Sequence, residues 1–333
     1  GPLSFSAHVS ENPGIATKVR APMPRVSVIL PIYNAERFVG AAIESILDQS
    51  FDDFELLIHD DGSSDGSFAV AQGHAERDSR IRLTRGDNQG VFATRNAMMA
   101  DARGEYIAVM DADDIALPDR FEKQVAFLDD HADHVCVGGR QMLIDDDGFR
   151  LGPAKVPTEH DEIDAANLTG RAAMAHPTTM MRADAVARIG GYDGSYFSAG
   201  DLDIWLRLAE VGKLANLPDV VLLYRLTSSG ITARKKAAQR ANMRRACESA
   251  GTRRGIEVQI ADAPPGLHSA DSADSEFNMI VQRGWLAWKN GFRDTWFHYA
   301  GKALRRAPVS RRAWQLALFG LIRRPGQRPR KAQ

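Results

Sequence analysis

Residues 105–120 read EYIAVMDADDIALPDR, and the order of residue types in this stretch indicates the fold. Tyr106 to Met110 form an apolar run with the length of a buried strand. Three carboxylates follow it closely: Asp111, Asp113 and Asp114. Open α/β sheets bind ligands beyond the carboxyl ends of their strands, and Asp oxygens suit a hard divalent cation that bridges to phosphates. The alternative is that these residues only end a strand and cap the next helix.

The segments before this stretch alternate between short apolar runs and helical patterns. Strands are predicted at residues 26–30, 54–58 and 81–83, with Pro31 ending the first, and helices at 36–49, 67–77 and 91–102, with Asn34 as N-cap of the first. Such alternation with short connections is typical of a mostly parallel, doubly wound sheet. The polar loops Tyr33-Asn34, Asp60-Asp61 and 111–114 would then meet at one sheet edge, which favours a ligand site over simple turns.

The remainder of the chain is less regular. Helices are predicted at 121–131, 160–170, 183–189 and 202–211, strands at 135–137, 141–144, 176–181 and 220–225, and a flexible loop at 263–275. Residues 1–24 are predicted to be a loose leader that begins with an apparent cleavage scar, Gly1-Pro2-Leu3. We expect one α/β domain over residues 25–233 and a helical, basic region over 234–333.

Composition describes an ordinary globular protein. The 333 residues are 44% hydrophobic and 26% charged, and a net charge of −1 gives no global attraction to nucleic acid. Cys136 and Cys247 fit neither a disulfide framework nor a zinc site, which favours a reducing, cytoplasmic location. No apolar run reaches the ~18–20 residues of a membrane span.

Six motifs, in order, resemble the family 2 glycosyltransferases with a GT-A fold, which move a sugar from a nucleoside diphosphate to an acceptor. They lie between residues 25 and 233 and read VSVILPIYN, FELLIHDDGSSDGS, DNQGVFATRN, GEYIAVMDADDIALPDR, GGYDGSYFSAGDLDIWLRL and VVLLYRLTSSGIT. The resemblance implies a nucleotide-binding half at about 25–120 and an acceptor half at about 121–233. Phosphate loops of the GxxxxGK[ST] type and GxGxxG fingerprints are absent from the sequence.

The resemblance also implies roles for residues at the strand ends. Asp113 would ligate Mn²⁺ or Mg²⁺, and Asp111 would contact the ribose or the metal shell. Asp61 would accept a hydrogen bond from the base. Further nucleotide-sugar contacts are implied for Pro31, Ile32, Tyr33, Asn88, Arg95 and Arg225. In the same stretch as Asn88, Gly90 could serve only a loop and Arg95 could lie on a solvated helix face, and for Arg225 the alternative is a structural ion pair.

Asp201 matches the catalytic base of inverting family members, which takes the proton of the acceptor hydroxyl. The alternative is that Asp201 is the N-cap of the helix 202–211. Gly200 stands where the family usually has Glu, and Asp203 could take part of that role or be a first-turn acid favoured by the helix dipole. Thr227 stands where many relatives have a His that completes the metal site.

The C-terminal residues 301–333 contain ten Lys or Arg and no Asp or Glu. Interleaved with them are large apolar residues, among them Trp314, Leu318 and Phe319. A basic helix with such anchors can lie in an anionic membrane interface. The alternative is a helical appendage packed on the catalytic domain, with a solvated basic tail. Nothing in the chain resembles a base-reading nucleic-acid module.

Taken together, the sequence predicts a metal-dependent, inverting glycosyltransferase that uses a UDP-sugar. Its acceptor would be a saccharide or lipid-linked saccharide in cell-surface polysaccharide synthesis, at the cytoplasmic face of the membrane. Two alternatives remain open at this point: a nucleotidyltransferase that makes the nucleotide-sugar, and a non-catalytic module that binds it.

Overall fold

A computed structural model describes residues 23–227, 233–260 and 273–322 of the chain. Most of the predicted leader 1–24, most of the predicted loop 263–275 and the basic residues 323–333 lie outside these ranges.

Within the described residues, nine strands form one sheet. They are β1 (Val26–Ile32), β2 (Phe54–Asp60), β3 (Ile81–Arg85), β4 (Tyr106–Val109), β5 (Ile115–Ala116), β6 (His134–Ile144), β7 (Arg150–Pro153), β8 (Met180–Arg182) and β9 (Lys213–Arg225). The strand order is β3-β2-β1-β4-β8-β6-β9-β5, and β7 also pairs with β6. The pairs among β1 to β4 and the pair β6–β9 are parallel, whereas β8, β7 and β5 pair antiparallel.

The helices cover both faces of the sheet and continue beyond it. They are α1 (Val39–Leu47), α2 (Ser67–Ala75), α3 (Val91–Asp101), α4 (Arg120–Asp130), α5 (His160–Leu168), α6 (Ala183–Ile189), α7 (Gly200–Leu208), α8 (Ala233–Arg254), α9 (Ala273–Lys289), α10 (Arg293–Arg306) and α11 (Arg311–Ile322), with a 3₁₀ helix at His176–Thr178. The predicted α/β class with a flanked sheet and a C-terminal helical region is confirmed. The predicted parallel, doubly wound pattern holds for β1 to β4, whereas the second half of the sheet is mixed.

Alternating residues of β1 show how the sheet is buried on both faces. Val28 and Leu30 lie in one apolar cluster with residues of α1 and α4, and Ile29 lies in a second cluster with residues of α6 and α7. All three side chains are fully buried. A strand covered on both faces reads as a continuous apolar run, which is why 26–30 could be recognised in the sequence.

Several predicted boundaries are wrong for identifiable reasons. β1 continues through Pro31 to Ile32, because β4 pairs with β1 only as far as Ile29 and leaves that side of Pro31 without a ladder. The two predicted strands 135–137 and 141–144 are one strand, β6. The predicted strand 176–181 is a 3₁₀ helix followed by β8, and β5 and β7 were not predicted.

Two predicted N-caps are also wrong. α1 begins at Val39, its N-cap is Phe38, and Asn34 instead accepts a hydrogen bond from the Ser64 N–H at 2.9 Å. α7 begins at Gly200 with Ala199 as N-cap, so Asp201 lies inside the first turn.

The C-terminal helices pack directly on the α/β domain. Trp288, Trp296 and Leu316 of α9 to α11 share an apolar cluster with Leu151 of β7 and with Leu226, and Ala246 and Cys247 of α8 pack with residues of α7. The described part of this region is therefore packed on the α/β domain, and its binding to a membrane stays a prediction. No described helix combines the length and the apolar character needed to cross a membrane.

Candidate active site

Two clefts are lined by residues of the turn that follows β4, one by Asp113 and the other by Asp111. The β1 cleft is lined by Pro31, Tyr33, Arg37, Phe38, Asp113, Asp146 and Thr227, among others. The α7 cleft is lined by Phe92, Arg95, Asp111, His176, Ser198, Asp201 and Tyr224, among others, and has a volume of about 610 Å³. The predicted residues Pro31, Tyr33 and Asp113 thus share one cleft, and Arg95, Asp111 and Asp201 share the other.

The three carboxylates that follow β4 have separate destinations. Asp113 lines the β1 cleft and Asp111 the α7 cleft. Asp114 is 1% exposed and turns inward, where its Oδ1 accepts the Arg225 N–H at 2.8 Å. Asp114 therefore attaches this turn to β9 and does not cap the next helix, whose N-cap is Asp119.

Negative charge at this turn is only partly compensated. Burial, and then the charge of Asp111, raise the pKa of Asp113 to about 6. Burial also raises the pKa of Asp114 well above its ordinary value, with Asp111 and Asp113 as further causes. Such a site stabilises a bound cation, because a positive ion removes both the repulsion and the desolvation cost.

The side chains present here suit a cation with few protein ligands. The described residues include no cluster of three or more His, Cys, Asp or Glu side chains that could hold a metal ion. Asp113 and Asp111 can supply one or two oxygens. Mg²⁺ and ions like it retain several waters and take further oxygens from substrate phosphates. The half-buried carboxylate of Asp113, with its raised pKa, fits such an ion.

Arg225 supports this turn from behind. Its Nε–H donates to the Asp113 carbonyl at 2.8 Å, and its Nη1 donates to the carbonyls of Asp145 and Asp146 at 2.9 and 3.2 Å. The guanidinium also lies over the Phe38 ring, 4.5 Å from the centroid. Arg225 lines neither cleft, so its observed role is to position main chain beside Asp113, and its contact with the diphosphate stays a prediction.

The residues predicted around the base are divided between surface and core. Tyr33 is 54% exposed and lies in the β1 cleft with Pro31. Ile32 is buried, and its carbonyl accepts the Asp61 N–H at 2.9 Å. The Ile32 side chain therefore belongs to the core, because it points into the cluster beneath β1.

Asp61 organises the loop that leads into α3. It is 4% exposed, and its two oxygens accept the N–H groups of Gln89 at 2.8 Å and Gly90 at 3.0 Å. Gly90 has a φ of 87°, a left-handed conformation that glycine adopts without strain. Asn88 is exposed and lines neither cleft. Donor contacts of Asp61 and Asn88 stay predictions.

Arg95 is the positive centre of the α7 cleft and is not on a solvated helix face. Its side chain is 8% exposed, and Nη2 lies 2.5 Å from Asp111 Oδ1. The pKa of Asp201 is raised by burial, whereas the Leu202 N–H bond and the charge of Arg95 oppose that shift. One buried arginine thus offsets carboxylates from the β4 turn and from α7.

Asp201 is not the N-cap of α7. Its Oδ1 accepts the N–H of the next residue, Leu202, at 2.9 Å, while the carboxylate lines the cleft. The suggestion that Asp203 takes the role of the missing Glu is wrong, because Asp203 is 1% exposed and pairs with Arg207, with Nη2 2.5 Å from Oδ2. Asp201 is therefore the acid of α7 that is available to a substrate.

Phe92 gives a steric reason for a glycine at position 200. A Cβ at Gly200 would lie 2.7 Å from Phe92 Cζ. The Phe92 ring stacks on Tyr192 with centroids 5.4 Å apart, and the Tyr192 hydroxyl lies 2.6 Å from His176 Nε2. Phe92 thus fills the space next to Asp201 that a side chain at position 200 would need.

Two contributors to the α7 cleft were missed in the sequence. Phe92 lies three residues before Arg95, so the two share a helix face, and this spacing could have identified it. Ser198 has a φ of 66°, and its buried Oγ has no hydrogen-bond partner within the described structure. A non-glycine residue with this backbone costs energy and is found preferentially at functional sites.

The model of Glycosyl transferase family 2 matches residues 27–190. Among curated proteins, the putative glycosyltransferase EpsE of Bacillus subtilis is 39% identical over 193 residues, which is 57% of this chain and 68% of that protein. The chain belongs to glycosyltransferase family 2. The O-antigen biosynthesis glycosyltransferase WbnJ of Escherichia coli is 32% identical over 205 residues, 60% of this chain and 79% of that protein. The enzyme is therefore a glycosyltransferase, and the two other classes considered from the sequence are set aside.

Solved structures share its fold. The mannosyltransferase PcManGT of Pyrobaculum calidifontis, in complex with GDP-Man and Mn²⁺, matches with a TM-score of 0.51 and 18% identity over 91% of this chain and 81% of that one. TarS 1-349 of S. aureus, in complex with UDP-GlcNAc, matches with a TM-score of 0.52 and 18% identity over 88% and 83%. At this identity the likeness establishes the fold alone.

Proposed function

We propose that this glycosyltransferase moves a sugar from a nucleoside-diphosphate sugar, with a UDP-sugar as first candidate, to a hydroxyl of a saccharide or lipid-linked saccharide, with inversion at the anomeric carbon. The observation that carries the proposal is the junction of the two clefts at Asp111 and Asp113. In this arrangement the β1 cleft holds the donor and the α7 cleft holds the acceptor. Pro31 and Tyr33 would contact the base.

The proposed chemistry is a single displacement. Asp201 accepts the proton of the acceptor hydroxyl, and the hydroxyl oxygen attacks the anomeric carbon on the face opposite the nucleoside diphosphate. The bond between the anomeric carbon and the phosphate oxygen breaks, and its electron pair leaves with the diphosphate. The positive charge of Arg95 reduces the repulsion between the Asp111 and Asp201 carboxylates, which line the same cleft.

Asp113, with Asp111, is the proposed holder of a divalent cation, Mn²⁺ or Mg²⁺. When bound, such an ion offsets the negative charge that develops on the leaving diphosphate. The raised pKa of Asp113 supports this assignment, since among the described residues the charge of Arg225 opposes the upward shift of that pKa only in part. The Mn²⁺ named with the mannosyltransferase PcManGT is a further support.

The names of the relatives support a role in polysaccharide synthesis, but they do not decide between uracil and guanine as the base of the donor. WbnJ is named for O-antigen biosynthesis, which supports a role in polysaccharide synthesis. The structural neighbours were solved with a GDP-sugar and with a UDP-sugar, so the fold accommodates both bases. We place the enzyme at the cytoplasmic face of a membrane, where a lipid-linked acceptor would be available.

A thermal-shift screen tests the donor, because a ligand that binds only the folded state raises the melting temperature. UDP-sugars with Mn²⁺ or Mg²⁺ should raise it, and EDTA should remove the effect. Stabilisation by GDP-sugars alone would reassign the base, and no response to any nucleotide-sugar would contradict the proposal. With the stabilising donor and a saccharide acceptor, NMR of the product should show the inverted anomer.

A further inference from the structure

The hairpin of α10 and α11 exposes large apolar side chains at its tip. Residues 307–310 join the two helices, and Val309 in this connection is 96% exposed. Trp314 and Leu318 follow on α11 at 48% and 47%. The inner side of α11 is buried through Ala313 and Leu316, so the helix has one face in the protein and one apolar face that the described residues leave exposed.

The outward positions of α11 follow helical spacing. Arg311, Trp314, Gln315 and Leu318 are all exposed, and they are separated by three, one and three residues. Beside them lies a hollow of about 520 Å³, lined by Trp285, Trp314, Leu318 and Phe319 with Arg311 and Gln315. The apolar surface therefore continues from the helix face toward α9.

Positive charge surrounds this apolar tip. Arg305 and Arg306 precede the connection, and Arg311 and Arg312 follow it, all four exposed. Residues 295–333 contain no Asp or Glu, and the sequence adds five further Lys or Arg after residue 322. Among the residues that the structure describes, one of these four arginines forms an ion pair: Arg306 lies 3.4 Å from Glu276, and both side chains are exposed.

We propose that this tip surface, made of Val309, Trp314 and Leu318 with Arg305, Arg306, Arg311 and Arg312, docks the enzyme on an anionic lipid bilayer. Apolar and Trp side chains can enter the interface, while arginines around them meet lipid phosphates. The charge decides between occupants: a second copy of this chain would bring the same arginines into contact, whereas an anionic membrane complements them. The proposal does not depend on the donor or the acceptor.

The same helices hold the wall of the β1 cleft, so docking would fix the height of the active site above the membrane. Tyr299 of α10 donates its hydroxyl hydrogen to Asp145 Oδ2 at 2.6 Å. The next residue, Asp146, lines the β1 cleft. Membrane contact and active site are thus joined through one packed unit and not through a free linker.

Co-sedimentation of the full chain with vesicles tests the proposal, using phosphatidylcholine with and without phosphatidylglycerol. The wild-type chain should sediment with the anionic vesicles and less so at high salt. Val309→Asp should weaken binding by about tenfold or more, because it replaces an apolar side chain of the tip with a negative charge. The pair Arg305→Glu/Arg311→Glu should have an effect of about the same size, because each basic residue contributes to attraction at the anionic surface. The exposed positions make misfolding a minor concern, and the melting temperature checks it for each variant.

The matched controls are Arg188→Glu on α6 and Ile256→Asp after α8, since both residues are exposed and lie outside the tip surface. They should bind vesicles as the wild type does. Equal sedimentation of wild type and tip variants, or equal binding to neutral vesicles, would overturn the proposal. A dimer in light scattering that the tip variants dissociate would also overturn it, and would assign the surface to a second copy.

Discussion

The β1 cleft and the α7 cleft share one turn but balance charge in opposite ways. In the β1 cleft, Asp113 has its pKa raised to about 6 by burial and by Asp111. In the α7 cleft, Asp111 is paired with the buried Arg95. The charge of Arg95 also opposes the rise that burial causes in the pKa of Asp201. Among the described residues, the second cleft therefore contains a cation that pairs with its carboxylates, whereas the first leaves Asp113 with a raised pKa. Under the proposed function, this difference would distinguish a donor side that takes a metal ion from a base that works without one.

The largest effect should come from Asp201→Asn on the α7 side. An amide cannot take the acceptor proton, so transfer should fall by about 10²–10⁴-fold. The amide oxygen can still accept the Leu202 N–H, so the melting temperature should hold. Donor affinity, measured by calorimetry with Mn²⁺, should be retained because Asp201 is on the other side of the turn.

Asp203→Asn is the contrasting control, because it breaks a buried pair with Arg207 and should lower the melting temperature. Transfer by Asp201→Asn at a near wild-type rate would remove Asp201 from the reaction and leave the α7 cleft without an assigned base.

On the β1 side, Asp113→Asn should weaken metal-dependent donor binding by about 10²-fold, since a cation at a developing charge is worth several kcal/mol. The loss should be seen only in the presence of Mn²⁺ or Mg²⁺. Titration calorimetry of UDP measures the donor affinity of each protein in the presence and in the absence of metal. If donor affinity in metal were unchanged, Asp113 would not be a ligand, and the contrast between the two clefts would be wrong.

The β1 cleft could be predicted from the sequence more fully than the α7 cleft. The β1 cleft is mostly built from 31–38 and 112–113, just after two parallel strands, so local motifs identify it. The α7 cleft combines side chains from α3, β6, α7 and β9, and its shape depends on long-range packing.

Particular residues show why the rest could not be predicted. Gly139 interrupts the strand pattern of β6, yet it is needed because a Cβ there would lie 2.7 Å from Val221 of the neighbouring strand. The sequence indicates a diphosphate contact for Arg225, but it gives no sign of the bonds that Arg225 makes to the carbonyls of Asp113, Asp145 and Asp146. Each case depends on a partner far away in sequence.

A pH titration of stability sharpens the same contrast without substrate. The pKa of Asp113 is raised in the folded state, so the contribution of Asp113 to the stability of the metal-free wild type should be lost as pH rises from about 4 to about 6. Asp113→Asn removes this titration, and its melting temperature should exceed that of the wild type at pH 7 but not at pH 4. At pH 7, Mn²⁺ should raise the melting temperature of the wild type and leave that of Asp113→Asn unchanged. Parallel curves for the two proteins would mean that Asp113 is not strained by its surroundings.

The smallest effect concerns Gly200, and it tests whether Phe92 shapes the acceptor side. Gly200→Ala places a Cβ 2.7 Å from Phe92 Cζ, so the ring must move, at a cost of about 1–3 kcal/mol. Acceptor KM should rise while donor affinity stays constant, because the ring lies in the α7 cleft. Adding Phe92→Leu to Gly200→Ala should recover much of the stability, since the two sites are in contact and their effects are not additive. Gly194→Ala is the matched control, because nothing lies within 4 Å of a Cβ there. Should Gly200→Ala behave like Gly194→Ala in melting temperature and in acceptor KM, the Phe92 ring would not be what excludes a side chain at position 200.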